Sequence, residues 1–388
     1  MSAASGRAPD AHERTAGGSG GEEGRRDLDL LPKAHLHLHF TGSMSVDTLR
    51  DVAAIAGLDM PDSLLDTIAL ELPPDKRGWF RFQHLYETAR RAVRTEEAMR
   101  LVMRRAVEDD AREGSRRLEL QIDPSGYAPY VGGLSRALDI AIDEARQASE
   151  ATGVSVALIV AASRRRHPLD ARTLARLAAR YVGDGPGEVV GFGLSNDERA
   201  GDTAEWGHAF RLAERAGLAS VPHGGELLGP SHIRRVIEHL DPVRLGHGVR
   251  ASEDPALVAE IVRRGIALEL CPTSNVNMGV FAEQANVPLR PLVDAGVRIA
   301  LSADDPLLFL SRLTDQYRVA RDVHGFSDAE LAGLAKASFA ASTAGDDDKR
   351  RWDAEVDAWL AGGPSEPQAP PEGGVRAARI STTPTDAG

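Results

Sequence analysis

Eight short apolar runs, most of them separated by amphipathic segments of helical period, predict an α/β fold whose parallel strands close into a (β/α)8 TIM barrel. The runs are Ala34–Phe40, Leu118–Ile122, Val154–Ala161, Val189–Leu194, Ala219–Val221, Val243–Leu245, Ala267–Leu270 and Val297–Leu301. An open, doubly wound sheet is the competing architecture. It is disfavoured because no glycine-rich phosphate turn follows the first run, and Gly191-Phe192-Gly193 is not the GxGxxG fingerprint.

The first run carries the most information. In Lys33-Ala34-His35-Leu36-His37-Leu38-His39-Phe40 imidazoles alternate with apolar side chains, so His35, His37 and His39 share one face of a strand. Neighbours on that face lie roughly 6.6 Å apart, which lets one metal ion bridge two of them but not all three. Between the first and second runs lies a long segment, 41–115. Its helical patterning over Val46–Ala56, Trp79–Thr88 and Glu96–Arg112 predicts a helical insertion over the C-terminal mouth of the barrel. Trp79, Phe80, Phe82 and Tyr86 suit a lid over a flat aromatic substrate, and ordinary helix packing explains them about as well. The later runs each end in polar residues: Pro222-His223-Gly224-Gly225-Glu226, Gly246-His247-Gly248, Glu269 with Cys271-Pro272-Thr273-Ser274-Asn275, and Ser302-Ala303-Asp304-Asp305-Pro306. A barrel brings all of these to one mouth.

Composition narrows the function classes. The chain has 388 residues and a net charge of −12, which argues against a general polyanion binder and predicts no nucleic-acid partner. Its basic residues are nearly all Arg, with Lys only at Lys33, Lys76, Lys336 and Lys349, and the runs Arg104-Arg105, Arg116-Arg117 and Arg164-Arg165-Arg166 read as solvated faces or loops. The single cysteine, Cys271, excludes a multi-cysteine zinc site and reads as a buried strand-end thiol. No stretch has transmembrane length or the pattern of a signal peptide, so a cytoplasmic protein with no membrane partner is expected. Segments 1–27 and 363–388 lack hydrophobic period and read as disordered tails flanking one barrel domain, 28–362. The sequence is compatible with a homo-oligomer and does not specify one.

Histidines at 37, 39 and 223 with a carboxylate at Asp304 form a donor set suited to Zn²⁺, an ion that lowers the pKa of water toward about 7. Glu226, three residues beyond His223, is placed to donate a proton, and His247 to hold or accept one.

In this order the motifs Pro-Lys-x-x-Leu-His-x-His, His-x-Gly-Glu, Gly-His-Gly, Cys-Pro-x-Ser and Asp304-Asp305-Pro306 resemble the adenosine deaminase family of amidohydrolases over about residues 31–340. The resemblance implies one zinc per subunit, held by His37, His39, His223 and Asp304. It implies that Glu226 protonates purine N1, that His247 orients or deprotonates the attacking water, and that Asp305 accepts a hydrogen bond on the N7 side. By the same resemblance Glu269 supports His247 from behind, and His39, Thr41, Ser195, Asn196 and Asp305 face the substrate.

Three positions depart from the family pattern. Thr41 stands where an acidic residue usually meets the ribose 5′ end, Asn196 replaces a usual Gly, and Gln121 replaces an Arg. The expected activity is hydrolytic deamination of a small-molecule purine, adenosine or deoxyadenosine first, with a 5′-modified adenosine of the aminodeoxyfutalosine type or free adenine as alternative. A non-catalytic metal-binding member is a remote alternative. The other zinc deaminase fold, which acts on nucleic acid, needs Pro-Cys-x-x-Cys, and one cysteine cannot supply it.

Overall fold

A computed structural model describes residues 25–65, 69–73 and 76–362. Segments 1–24 and 363–388, where the sequence predicts disordered tails, lie outside the described residues. The unit Leu28–Gly362 is a (β/α)8 barrel.

Its strands are β1 (Lys33–His39), β2 (Ser115–Ile122), β3 (Ser155–Ser163), β4 (Val189–Ser195), β5 (Ala219–Gly224), β6 (Arg244–His247), β7 (Ala267–Leu270) and β8 (Ile299–Leu301), paired in parallel in sequence order. All eight predicted runs therefore become strands, displaced by only a few residues. They are buried along nearly their whole length, which is why they read as near-continuous apolar runs.

Closure falls between β1 and the residues just after β8. The His39 N–H donates to the Asp304 carbonyl at 3.1 Å, and the Asp304 N–H to the His37 carbonyl at 3.0 Å. The step that closes the sheet thus places Asp304 beside the histidine pair from the other end of the sequence.

The insertion after β1 is helical at Val46–Ala56, Lys76–Ala92 and Glu96–Arg112. Ser45 and Thr95 cap the first and third of these helices through their side chains, and Gly57, at φ 63°, ends the first. Outward-facing strand residues pack beneath the helices in one large core, while a small apolar cluster of Ala157, Ile159, Val190 and Val221 is separate from it. No helix among the described residues is long and apolar enough to cross a membrane.

Candidate active site

At the C-terminal ends of the strands lies a cavity of about 480 Å³, within the range of small-molecule sites. His39, His223, Glu226, His247, Asp304 and Asp305 line its inner end.

Nε2 of His39 lies 3.2 Å from Nε2 of His223 and 3.2 Å from Asp304 Oδ1. Nε2 of His37 lies 3.4 Å from the same carboxylate oxygen and has no hydrogen-bond partner among the described residues. One nitrogen from each of the three histidines falls within 4.8 Å of the other two. Behind them Glu269 Oε2 accepts from His37 Nδ1 at 2.7 Å, which leaves Nε2 as the free coordinating atom, and Ser274 Oγ donates to Asp304 Oδ2 at 2.6 Å. A three-nitrogen, one-carboxylate set with orphaned, converging lone pairs fits a zinc-type ion.

His35 is not part of the cluster. Its Nδ1 is bound to Asp110 at 2.9 Å and its Nε2 accepts from the Ala303 N–H at 3.1 Å, so both nitrogens are occupied.

Two groups flank this cluster. His247 Nε2 lies 3.8 Å from Glu226 Oε2 and 3.8 Å from Asp304 Oδ2. Burial pushes the His247 ring down to about 3, so it is neutral at pH 7. Burial, then the charges of Asp304 and Glu198, push the Glu226 carboxyl well above the usual carboxylate range. A neutral imidazole thus sits beside a carboxyl whose surroundings favour its protonated form at one cavity end.

The backbone is strained at the same place. His247 at φ 61° and Asp304 at φ 65° occupy the left-handed region, as does Asn196 at φ 79° on the opposite rim. Asn tolerates that conformation better than most residues, which reconciles it with the glycine the family usually carries there. Gly246 has a separate reason: a Cβ at this position would stand 2.7 Å from His37 Cε1.

Three sequence expectations are corrected. Glu269 supports His37, not His247; the partner of His247 Nδ1 is the Asn275 amide at 3.2 Å. The sequence places Glu269 at the end of the seventh run, but which histidine it meets depends on packing across the barrel. Thr41 is fully buried and does not line the cavity; its hydroxyl is 2.7 Å from Tyr127 Oη, and Tyr127 takes the place at the cavity wall. The arginine runs are not uniformly solvated: Arg117 and Arg164 are buried, and Arg165 and Arg166 line the cavity.

Other buried charges around the site had no local signal. Arg244 bridges Glu269 (2.6 Å) and Glu119 (2.6 Å) deep in the barrel, so a charge-paired column runs from His37 through Glu269 and Arg244 to Glu119. Glu198, also buried, accepts from the backbone N–H groups of Glu226 (3.1 Å), Leu227 (2.9 Å) and Leu228 (2.8 Å) and so holds the segment bearing Glu226. Of the predicted lid, Trp79, Phe82 and Tyr86 line the cavity, whereas Phe80 is 67% exposed. Ser195, Asn196 and Gln121 line it as well. Cys271 is buried, and burial raises its thiol well above the ordinary value, which disfavours the nucleophilic thiolate.

A barrel with its polar residues gathered at one mouth, and a histidine-carboxylate cluster beside a buried carboxyl, defines a hydrolase of the amidohydrolase type. The family model for adenosine deaminase matches residues 32–359, and the chain belongs to that family, as a hydrolytic deaminase. It is 51% identical over 341 residues to a putative adenosine/adenine deaminase of Streptomyces virginiae, covering 88% of this chain and all of the relative. Among solved structures, an adenine deaminase from Arthrobacter aurescens superposes with a TM-score of 0.78 at 26% identity, over 86% of this chain and 100% of that one. An amidohydrolase from Burkholderia ambifaria, solved with bound zinc, shares the fold at a TM-score of 0.75 and 21% identity, covering 86% and 93%.

Proposed function

We propose that this enzyme removes the 6-amino group of an adenine nucleoside, converting adenosine or deoxyadenosine plus water to inosine or deoxyinosine plus ammonia. One observation carries the reading: buried Glu226 and His247 lie 3.8 Å apart beside the histidine-Asp304 cluster, in a cavity walled by aromatic side chains.

His37, His39, His223 and Asp304 would hold one zinc ion, whose chemistry is to lower the pKa of water toward about 7. The remaining work falls to the chain's own groups. Trp79, Phe82 and Tyr86 offer apolar faces to the purine. Glu226 delivers its proton to N1 as the water oxygen bonds to C6, so the ring accepts charge without becoming an anion. His247 fixes the oxygen's approach, and Asn275 sets its tautomer. N1 keeps that proton in the product; of the two protons the water brings, one passes to the amine, which leaves as ammonia when the C6–N bond breaks, and the other passes from the C6 oxygen to Glu226. Asp305 faces the N7 side. A purine N7 bearing a lone pair has no proton to give, so Asp305 acts there as a donor through a protonated carboxyl, and not as the acceptor the resemblance implies.

A second reading within the same chemistry is a 5′-modified adenosine or free adenine. Thr41 supports it, because its hydroxyl is committed to Tyr127 and offers no carboxylate to a ribose 5′-hydroxyl. Ranking kcat/KM for adenosine, deoxyadenosine, adenine and 5′-substituted adenosines tests both readings. Adenosine leading the ranking upholds the first, a 5′-substituted adenosine or adenine leading it replaces the first with the second, and no ammonia from any of them overturns both.

A further inference from the structure

The inner end of the cavity is acidic and its outer wall is basic. Arg90, Arg91, Arg165 and Arg166 line that outer wall, against only two carboxylates there, Glu87 and Asp123. Arg90 is matched by Glu87 at 2.5 Å. Arg91, Arg165 and Arg166 have no ion pair or side-chain hydrogen bond among the described residues. In a chain of net charge −12, where many surface arginines are paired with Asp or Glu, three uncommitted guanidiniums on one cavity wall call for a partner.

The wall is built, not incidental. Arg165 and Arg166 sit on the turn that leaves β3, and their neighbour Arg164 anchors it. The Arg164 guanidinium is buried 5.4 Å over the Trp206 ring and donates to Thr203 Oγ1 at 3.2 Å, while its backbone N–H donates to the Ser195 carbonyl at 3.0 Å. The Arg166 N–H donates back to the Ser163 carbonyl at 3.0 Å. Arg90 and Arg91 come from a different element, the last turn of the helix Lys76–Ala92. Arg90 and Arg166 both act electrostatically on Asp123, so the two elements converge around that carboxyl. Covering such guanidiniums with a neutral sugar removes water from them and returns only neutral hydroxyl acceptors, whereas an anion returns the stronger charge-assisted hydrogen bonds.

We propose that the substrate is an adenine nucleoside bearing an anionic group, a phosphate or a carboxylate, on the side of the sugar away from the base, and that Arg165, Arg166 and Arg91 bind it. This rests on the second reading above, deamination of a 5′-modified adenosine, and names the chemical class of that modification at the same site.

The test uses full-length enzyme with adenosine, adenosine 5′-monophosphate, adenosine 5′-carboxylic acid and neutral 5′-deoxyadenosine, each at low and high ionic strength. The expected result is a kcat/KM at least tenfold higher for one or both anionic compounds than for 5′-deoxyadenosine, shrinking as salt rises. Which anion leads identifies the group. In R165Q/R166Q the anionic compounds should lose at least tenfold more kcat/KM than the neutral one. Calorimetric binding of inosine 5′-monophosphate should weaken in parallel, a readout independent of turnover. Equal kcat/KM for neutral and anionic compounds, or an equal loss across all of them in the variant, overturns the proposal. In that case adenosine turnover leaves the deaminase reading standing, whereas absence of ammonia from all four compounds removes the reading itself.

Discussion

The two walls of the cavity are built on opposite plans. On the side of β1 and β5–β8 the functional side chains are buried and held from behind: His37 by Glu269, Asp304 by Ser274, His247 by Asn275, and the Glu226 segment by Glu198. On the side of β2–β4 and the inserted helix Lys76–Ala92, several functional side chains are exposed, and the guanidiniums of Arg91, Arg165 and Arg166 end in solvent. Chemistry at C6 tolerates little displacement, because proton transfer and attack each need hydrogen-bond distances. Recognition of a peripheral group tolerates more, since long side chains can follow it. The contrast separates a rigid reacting wall from an adaptable selecting wall, and substitutions on each should behave accordingly.

The largest effect is expected from Glu226→Gln, which keeps size and removes the proton. kcat should fall about 10³-fold or more at unchanged metal content, and near-normal turnover would break the assignment of the reacting wall. Asp304→Ala comes next. It should lower both rate and metal retention, and full metal content by mass spectrometry after dialysis would refute its role as a ligand.

Glu198→Gln tests whether the rigid wall depends on support that never touches substrate. Losing the carboxylate that caps three amides should lower kcat by roughly 10²-fold with little change in KM, whereas a rise in KM alone would place Glu198 on the selecting wall.

The buried charge column makes a pH prediction about stability. Burial raises the Glu119 carboxyl, but Arg244 and Arg117 outweigh it and hold it at about 2, below its ordinary 4.5. A carboxylate depressed in the folded state stabilises fully above about pH 4.5 and loses that contribution as pH falls through about 2. The amount is on the order of 3 kcal/mol. Urea midpoints compared at pH 6 and pH 3 should fall less steeply in Glu119→Gln than in the parent, and parallel curves would show that the column adds no acid sensitivity. The smallest effect is expected from Phe80→Ala on the lid helix, where an exposed ring should cost less than about 0.5 kcal/mol and leave kcat/KM unchanged. A tenfold loss there would mean that the lid closes further over the substrate than this structure shows.

Much of this arrangement was legible in the sequence. Strand positions follow from apolar runs, and a strand end followed by His, Glu or Asp in a barrel is at the mouth whatever the rest of the chain does. The inserted helix Val46–Ala56 follows from its helical patterning, and in the structure Ser45 and Gly57 close its two ends. Pairings across the barrel were not legible. The sequence places Glu269 and His247 at the ends of the seventh and sixth runs, yet the register of β6 against β7 and the closure through Leu38 and Asp304 bring the carboxylate to His37. Thr41 was judged by its place in a motif, but the packing of Tyr127 beside Phe40 (ring centroids 5.2 Å apart) decides that its hydroxyl points into protein.

The sequence by itself therefore determined at which strand ends the His, Glu and Asp side chains stand, since period and residue type are local properties. The tertiary structure alone decided which polar atom faces which, which arginines are buried under Trp206 and which open onto the cavity, and where the backbone enters the left-handed region. Those depend on contacts between segments far apart in the chain, and no local pattern encodes the geometry with which a barrel closes.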